Sequence, residues 1–348
     1  MLKGKKTMKK IRLCLCVLMV ICMTSGLCSA DTVMIRVTSP DEKTEERAPT
    51  VVMQEKAPAE PAAQDVSDNK DLHDDQTETP AAKYTLPYDD SPGMPLSGAF
   101  TTDLMTYDDP TIHVQRYRIY NHETAYNCTI HYAKIQIAHG SQLRTASCNG
   151  FNSRVGNTVD KISQRVNAVV SINGDFIGSH RDGYILRQGV VYRDNIERLC
   201  DLLLIDEDGD FHIIYYNEDQ TVDKTTWNGK KVINVFTFGP ALIVNDEVVL
   251  DKKADPAYAD APGRGARTCI VQTGKLEYMV LTVRELGCSL EEMITLIQQL
   301  TDHVECAYLL DGGRTASMAF MGRLVNKLGS EAIPVTDIVY FASAWPGE

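Results

Sequence analysis

The stretch CAYLLDGGRTASMAFMGRLVN, residues 306–326, decides how this chain is read. Its first five residues, Cys306, Ala307, Tyr308, Leu309 and Leu310, are apolar and have the length of a buried strand. The run stops at Asp311-Gly312-Gly313. A carboxylate is thereby carried to the end of a core strand. The two glycines open backbone angles closed to other residues and let a ligand approach the main chain, while Arg314, Thr315 and Ser317 add a cation and two hydroxyls. That set suits an anionic, hydroxyl-rich ligand. The plain alternative is a strand, a glycine turn and a second strand over 318–321.

A second junction has the same form: Ala168-Val169-Val170-Ser171-Ile172 runs into Asn173-Gly174-Asp175-Phe176. Asn-Gly is also the commonest tight hairpin turn, so this motif too has a bland reading. Three more motifs follow in order: Gly-Tyr-Ile-Leu-Arg-Gln-Gly at 183–189, Phe-Gly-Pro-Ala-Leu at 238–242 and Arg267-Thr268. Over about 112–344 the five motifs together resemble the phosphodiester glycosidase family. After Gly313, where members often carry a third glycine and then serines, this chain has Arg314-Thr315-Ala316-Ser317, which bears on the substrate more than on the fold.

The resemblance implies a hydrolase that splits the sugar–phosphate bond of a sugar-1-phosphodiester. Asp175 and Asp311 would be its carboxylates. Arg267, supported by Arg187 or Arg314, would hold the phosphate. Asn173, Gly174, Phe176, the Gly312-Gly313 amides, Thr315 and Ser317 would contact sugar hydroxyls or phosphate oxygens. No cofactor or metal is implied, and the sequence has no Cys-x-x-Cys or His-x-x-x-His spacing.

Breaking an anomeric C–O bond passes through an oxocarbenium-like state that carboxylates stabilise or attack. Phosphate is a weakly basic leaving group, so fixed positive charge matters as much as a proton donor. Which aspartate acts as nucleophile or base stays open. Two rivals stand beside this reading: a non-catalytic envelope protein gripping a sugar-phosphate polymer, and a metal-dependent phosphoester hydrolase, which EDTA would inhibit. No phosphate-binding loop, dinucleotide fingerprint or serine elbow occurs.

The first thirty residues combine Lys3, Lys5, Lys6, Lys9, Lys10 and Arg12 with an apolar run over 13–23 and a small-residue end at Ser29-Ala30. This is the layout of a signal peptide, with an uncleaved membrane anchor as the alternative, so the protein is expected to be exported to the cell envelope or beyond. Loss of those six charges takes the formal charge from −12 to −18. So acidic a surface repels nucleic acid, and a phosphate-bearing substrate or polysaccharide needs a local arginine cluster. Residues 31–95, rich in Pro, Ala, Asp, Glu and Thr, are expected to be a disordered spacer, leaving one domain over 96–348. Cys128, Cys148, Cys200, Cys269, Cys288 and Cys306 would form at most one bridge, since Cys269 and Cys306 sit in apolar runs.

The fold class expected is α/β in the α+β sense, with a mixed, largely antiparallel sheet packed by two main helices. Residues 112–120 and 132–138 alternate as half-buried strands. Val159, Ile162 and Val166 predict a helix over 157–167. Ser289 with Glu292 forms a capping box that opens another, whose stripe is Met293, Ile294, Ile297 and Leu300. The acidic run 206–210 reads as a hairpin tip, because it lacks the ligand pattern of a calcium loop. Gly239-Pro240 implies a bend or an edge.

Overall fold

A computed structural model describes residues 84–101, 103–178, 182–196, 199–260, 263–326 and 333–347. The expected signal segment and nearly all of the expected spacer lie outside these residues. The first half of the domain contains β1 (Thr106–Asp109), β2 (Ile112–Tyr120), β3 (Thr129–Ile137), β4 (Leu143–Ser147), α1 (Val159–Arg165), β5 (Ala168–Asn173), β6 (Gly183–Arg187) and β7 (Val190–Asn195). Next come β8 (Leu202–Asp206), β9 (Phe211–Ile214), β10 (Thr226–Trp227), β11 (Lys230–Thr237), β12 (Ala241–Val244), β13 (Glu247–Val248) and a short α2 (Pro256–Asp260). The chain ends with β14 (Gly265–Gly274), β15 (Glu277–Cys288), α3 (Leu290–Leu300), β16 (Cys306–Leu310), β17 (Met318–Phe320), β18 (Arg323–Leu324) and β19 (Asp337–Ala342).

The strands form three sheets instead of one. The first runs β1-β2-β3-β15-β14-β16-β12-β13, the second β7-β6-β11-β8-β9 with β10 on β11, and the third β18-β17-β5-β19-β4. The pairings among the described strands are antiparallel. One core joins all three sheets: Val114, Ile135, Ile270 and Tyr308 from the first, Leu203 and Phe236 from the second, and Val170, Ile172 and Phe341 from the third. Each sheet thus buries one face against the others, and the expected helices cover outer faces.

The helix α3 closes the outer face of the first sheet through Met293, Ile294 and Ile297, which pack with Cys269, Leu281 and Leu309. Its capping box is present: the Ser289 side chain accepts from Glu292 N, and the Glu292 side chain accepts from Ser289 N. The helix α1 covers the third sheet, with Val159 and Ile162 against Ile338 and Tyr340. The acidic run is the β8–β9 turn, held by Lys230 and Lys275 on Asp208 and Asp210.

The domain begins earlier than position 96. Arg144 is fully buried, and its guanidinium donates to the carbonyls of Pro87, Asp89 and Ser91, while Leu86 N donates to Ser141. Gly93 lies against β19, where a side-chain carbon would sit 2.5 Å from the Ala342 side chain. This segment supplies the acceptors that a buried guanidinium requires, so it belongs to the fold. The six cysteines named above have free thiols.

Candidate active site

The strands β5 and β16 belong to different sheets, yet their ends meet. Asn173 fastens them: its Nδ2 donates to Asp311 O at 2.6 Å, and its Oδ1 accepts from Thr268 Oγ1 at 2.8 Å and Ser317 N at 3.1 Å. Asp311 N donates to Gly174 O at 3.3 Å. Asn173 is buried and these bonds occupy both ends of its amide, so it holds the junction of β5, β14, β16 and β17 together.

Beyond Asn173, Asp175 is fully buried. Its Oδ1 receives Arg187 Nη2 at 2.7 Å and its Oδ2 receives Thr237 N at 2.9 Å. Arg187, at the end of β6, lies 4.3 Å over the Phe236 ring and also donates to the carbonyls of Leu186 and Val235. The partner that the structure gives Arg187 is therefore Asp175; no side-chain surface of Arg187 reaches solvent. The cavity beside Asp175, lined also by Asp182, Arg193 and Thr237, measures about 10 Å³, room for one water and not for a sugar. Phe176 follows with φ 64°, a left-handed backbone that a bulky residue adopts only when its surroundings impose it.

A third carboxylate completes the cluster. Asp337, the first residue of β19, is buried, and its Oδ2 lies 3.9 Å from Arg187 Nη2. Gly174 permits this approach, since a side-chain carbon there would fall 1.9 Å from that oxygen, and Gly174 N donates to Asp337 O at 3.0 Å. Burial first, then the charge of Asp175, pushes Asp337 well above the usual carboxylate range against the pull of Arg187. One guanidinium thus faces two buried carboxylates.

Asp311 differs from both because it is only half-buried. Gly312 N donates to its Oδ1 at 2.8 Å and Thr315 Oγ1 to its Oδ2 at 2.5 Å. Burial nevertheless raises it to about 6, and the charge of Asp175 adds to the rise. Gly312 packs on the main chain before Arg267: a side-chain carbon there would lie 2.5 Å from Ala266 O. Arg267 is buried beside this loop, with Nε donating to Cys288 O and Nη2 to Gly263 O. Gly313 and Arg314 are exposed at the loop's surface, and Thr315 and Ser317 are buried beneath it.

The structure therefore gathers Asn173, Gly174, Asp175, Arg187, Gly312, Thr315 and Ser317 around the Asp311 junction, with Arg267 alongside. Asp337 and Thr268, which complete it, were not singled out from the sequence as side chains of the site. Thr268 had a signal in the Arg-Thr pair, whereas Asp337 had none. Among the described residues no group of three or more His, Cys, Asp and Glu side chains is arranged to hold a metal ion.

A profile of the phosphodiester glycosidase family matches residues 166–342, a span holding all three aspartates, Asn173, Arg187 and Arg267. In fold, the chain is similar to the catalytic domain of zebrafish N-acetylglucosamine-1-phosphodiester alpha-N-acetylglucosaminidase, auto-inhibited by its pro-peptide. The identity is 12%, the match covers 72% of this chain and 87% of that one, and the TM-score is 0.54. Weaker likenesses link it to a protein from Synechocystis, at 15% identity, 68% and 63% coverage and TM-score 0.46. Another is to a protein from Burkholderia pseudomallei, at 13%, 64% and 76%, and 0.43. No curated protein sequence matches. With the profile spanning half of the chain and the two motif-bearing strand ends meeting in one site, the chain belongs to the phosphodiester glycosidase family.

Proposed function

We propose that the protein is an exported hydrolase that releases sugar from a sugar-1-phosphodiester in cell-envelope or exopolysaccharide material. The observation that carries this reading is Asp311: a half-buried carboxylate raised to about 6, held by the Gly312 amide and the Thr315 hydroxyl at the end of a core strand. A carboxylate so held is ionised at neutral pH, fixed in direction and open to a ligand, as a nucleophile or base at an anomeric carbon must be. Its two hydrogen bonds also oppose protonation, so it is kept ready to attack or to activate water.

Asp175 and Asp337 take a different part. Both are buried, and through Arg187 and Gly174 they fix the β5 end against which Asp311 N is bonded. The charge of Asp175 adds to the rise of Asp311 and so sharpens it as a base. A weakly basic phosphate leaves with little protonation, and Arg267, beside the Gly312 turn, is the cation assigned to its developing charge.

The second reading, a polymer-binding module without turnover, draws on the full burial of the Asp175–Arg187 pair. Incubation with a panel of sugar-1-phosphodiesters, read as free reducing sugar, separates the two. The hydrolase reading expects release that falls by on the order of a hundredfold in Asp311→Asn. Retention of polymer with no sugar released by wild type would favour the module.

A further inference from the structure

Behind the Asp311 loop, β2, β3 and β15 meet the β17–β18 hairpin around a cleft of about 680 Å³, within the size range of small-molecule sites. Four arginines line it: Arg116 and Arg118 on β2, Arg284 on β15 and Arg323 on β18. They gather in a chain whose formal charge is −12. The lining carboxylate, Glu285, accepts from Thr129 N at 2.7 Å, and Asp103, whose charge Arg116 feels, accepts from Met105 N and Thr106 N. Among the described residues none of the four arginines is in an ion pair.

Two buried side chains on the wall also have polar atoms with nothing to bond. The Nδ1 of His131 and the Nε of Arg284 lack a hydrogen-bond partner, although the residues are only 4% and 7% exposed. Such atoms are costly to leave without a partner. Arg284 is held in place by donating to Ala316 O and Arg314 O. Burial, then the charges of Arg116, Arg118 and Arg284, pushes His131 down to about 4, so the imidazole is neutral at pH 7 and sits in a positive field. Part of the lining is apolar: Arg116 lies 5.8 Å over the Phe320 ring, and Met321 and Leu324 also line the cleft.

We propose that this cleft is a second ligand site, separate from the Asp311 junction, which binds a phosphate ester by placing the phosphate among the arginines and the organic group on the Phe320 wall. Four guanidiniums exceed what a carboxylate can satisfy. They match the near-double charge and three acceptor oxygens of a phosphomonoester, which guanidinium forks grip two oxygens at a time. The proposal goes beyond the hydrolase reading and stands whether or not that reading holds.

Titration calorimetry of the full chain with phenyl phosphate and with inorganic phosphate tests it. Phenyl phosphate is expected to bind roughly tenfold more tightly than inorganic phosphate, because only the ester covers the apolar wall. Arg118 and Arg323 are exposed, so Arg118→Gln with Arg323→Gln should leave the melting temperature unchanged and weaken phenyl phosphate by tenfold or more. Asp311→Asn should leave the affinity unchanged. In NMR, phenyl phosphate should move the His131 titration upward. Absence of binding, undiminished affinity in the arginine variant, or affinity that follows Asp311 would overturn the site. Equal affinity for the two probes would overturn the ester assignment.

Discussion

Replacing Arg187 with methionine should be among the most damaging single changes in the domain. Arg187 Nη2 is 2.7 Å from Asp175 Oδ1, both side chains are fully buried, and Asp337 lies 3.9 Å from the same nitrogen. Methionine fills much of the volume over Phe236 but removes the cation bonded to Asp175 and facing Asp337, so that Asp175 would keep the Thr237 N–H and the more distant charge of Arg193. Removing one partner of a buried pair costs about 3 to 5 kcal/mol. Against a total stability of roughly 5 to 15 kcal/mol this is a large share, and it corresponds to a drop in Tm of about 6 to 20 °C. Urea unfolding followed by tryptophan fluorescence measures it. Asp175→Asn in the same background should recover roughly 2 kcal/mol, because side chains in contact couple by about 0.5 to 3 kcal/mol. A cost below about 1 kcal/mol, or no recovery, would refute the claim that this pair holds the β5 end.

Two further outcomes follow from the same geometry. Arg267→Lys keeps the charge but loses the fork, so kcat/KM on a sugar phosphodiester should fall about ten- to a hundredfold, with a smaller loss on an uncharged aryl glycoside; equal losses would show that its bonds to Gly263 O and Cys288 O are its whole role. For pH, burial raises Asp201 and Asp311 to about 6, and Asp337 is raised as well. Unfolded aspartates titrate near about 3.9, so above that the folded state holds more protons, and stability falls as pH rises through these folded values. Glu291, held down to about 2 beside Lys252, changes its contribution only at lower pH. Urea midpoints should therefore drop from pH 5 to pH 7.5, and Asp337→Asn should shrink that drop by about 1 kcal/mol or more; an equal drop in both proteins would refute the assignment.

Much of this arrangement was legible from local pattern. The apolar runs ending in Asp311 and at Asn173, the capping box at Ser289 and the helical spacing of Val159, Ile162 and Val166 are short-range signals, and the structure carries them as β16, β5, α3 and α1. What could not be read is what only tertiary pairing decides. Asp337 opens a strand with no motif around it, and it becomes part of the cluster because β19 lies beside β5 and Gly174 has no side chain. The burial of Arg187 depends on Asp175, twelve residues upstream in sequence, and on Phe236 from a third strand. The division into three sheets likewise depends on which apolar faces meet, since alternation along a strand gives its two faces and not its neighbours.

The central claim is that Asp311 performs glycosidic chemistry, and the most direct test measures free sugar released from sugar-1-phosphodiesters by wild type and by Asp311→Asn across pH 4 to 8. The account predicts wild-type kcat/KM rising through about pH 6 as Asp311 ionises, and loss of turnover by on the order of a hundredfold in the variant with its Tm preserved. Turnover in Asp311→Asn equal to that of wild type would contradict it.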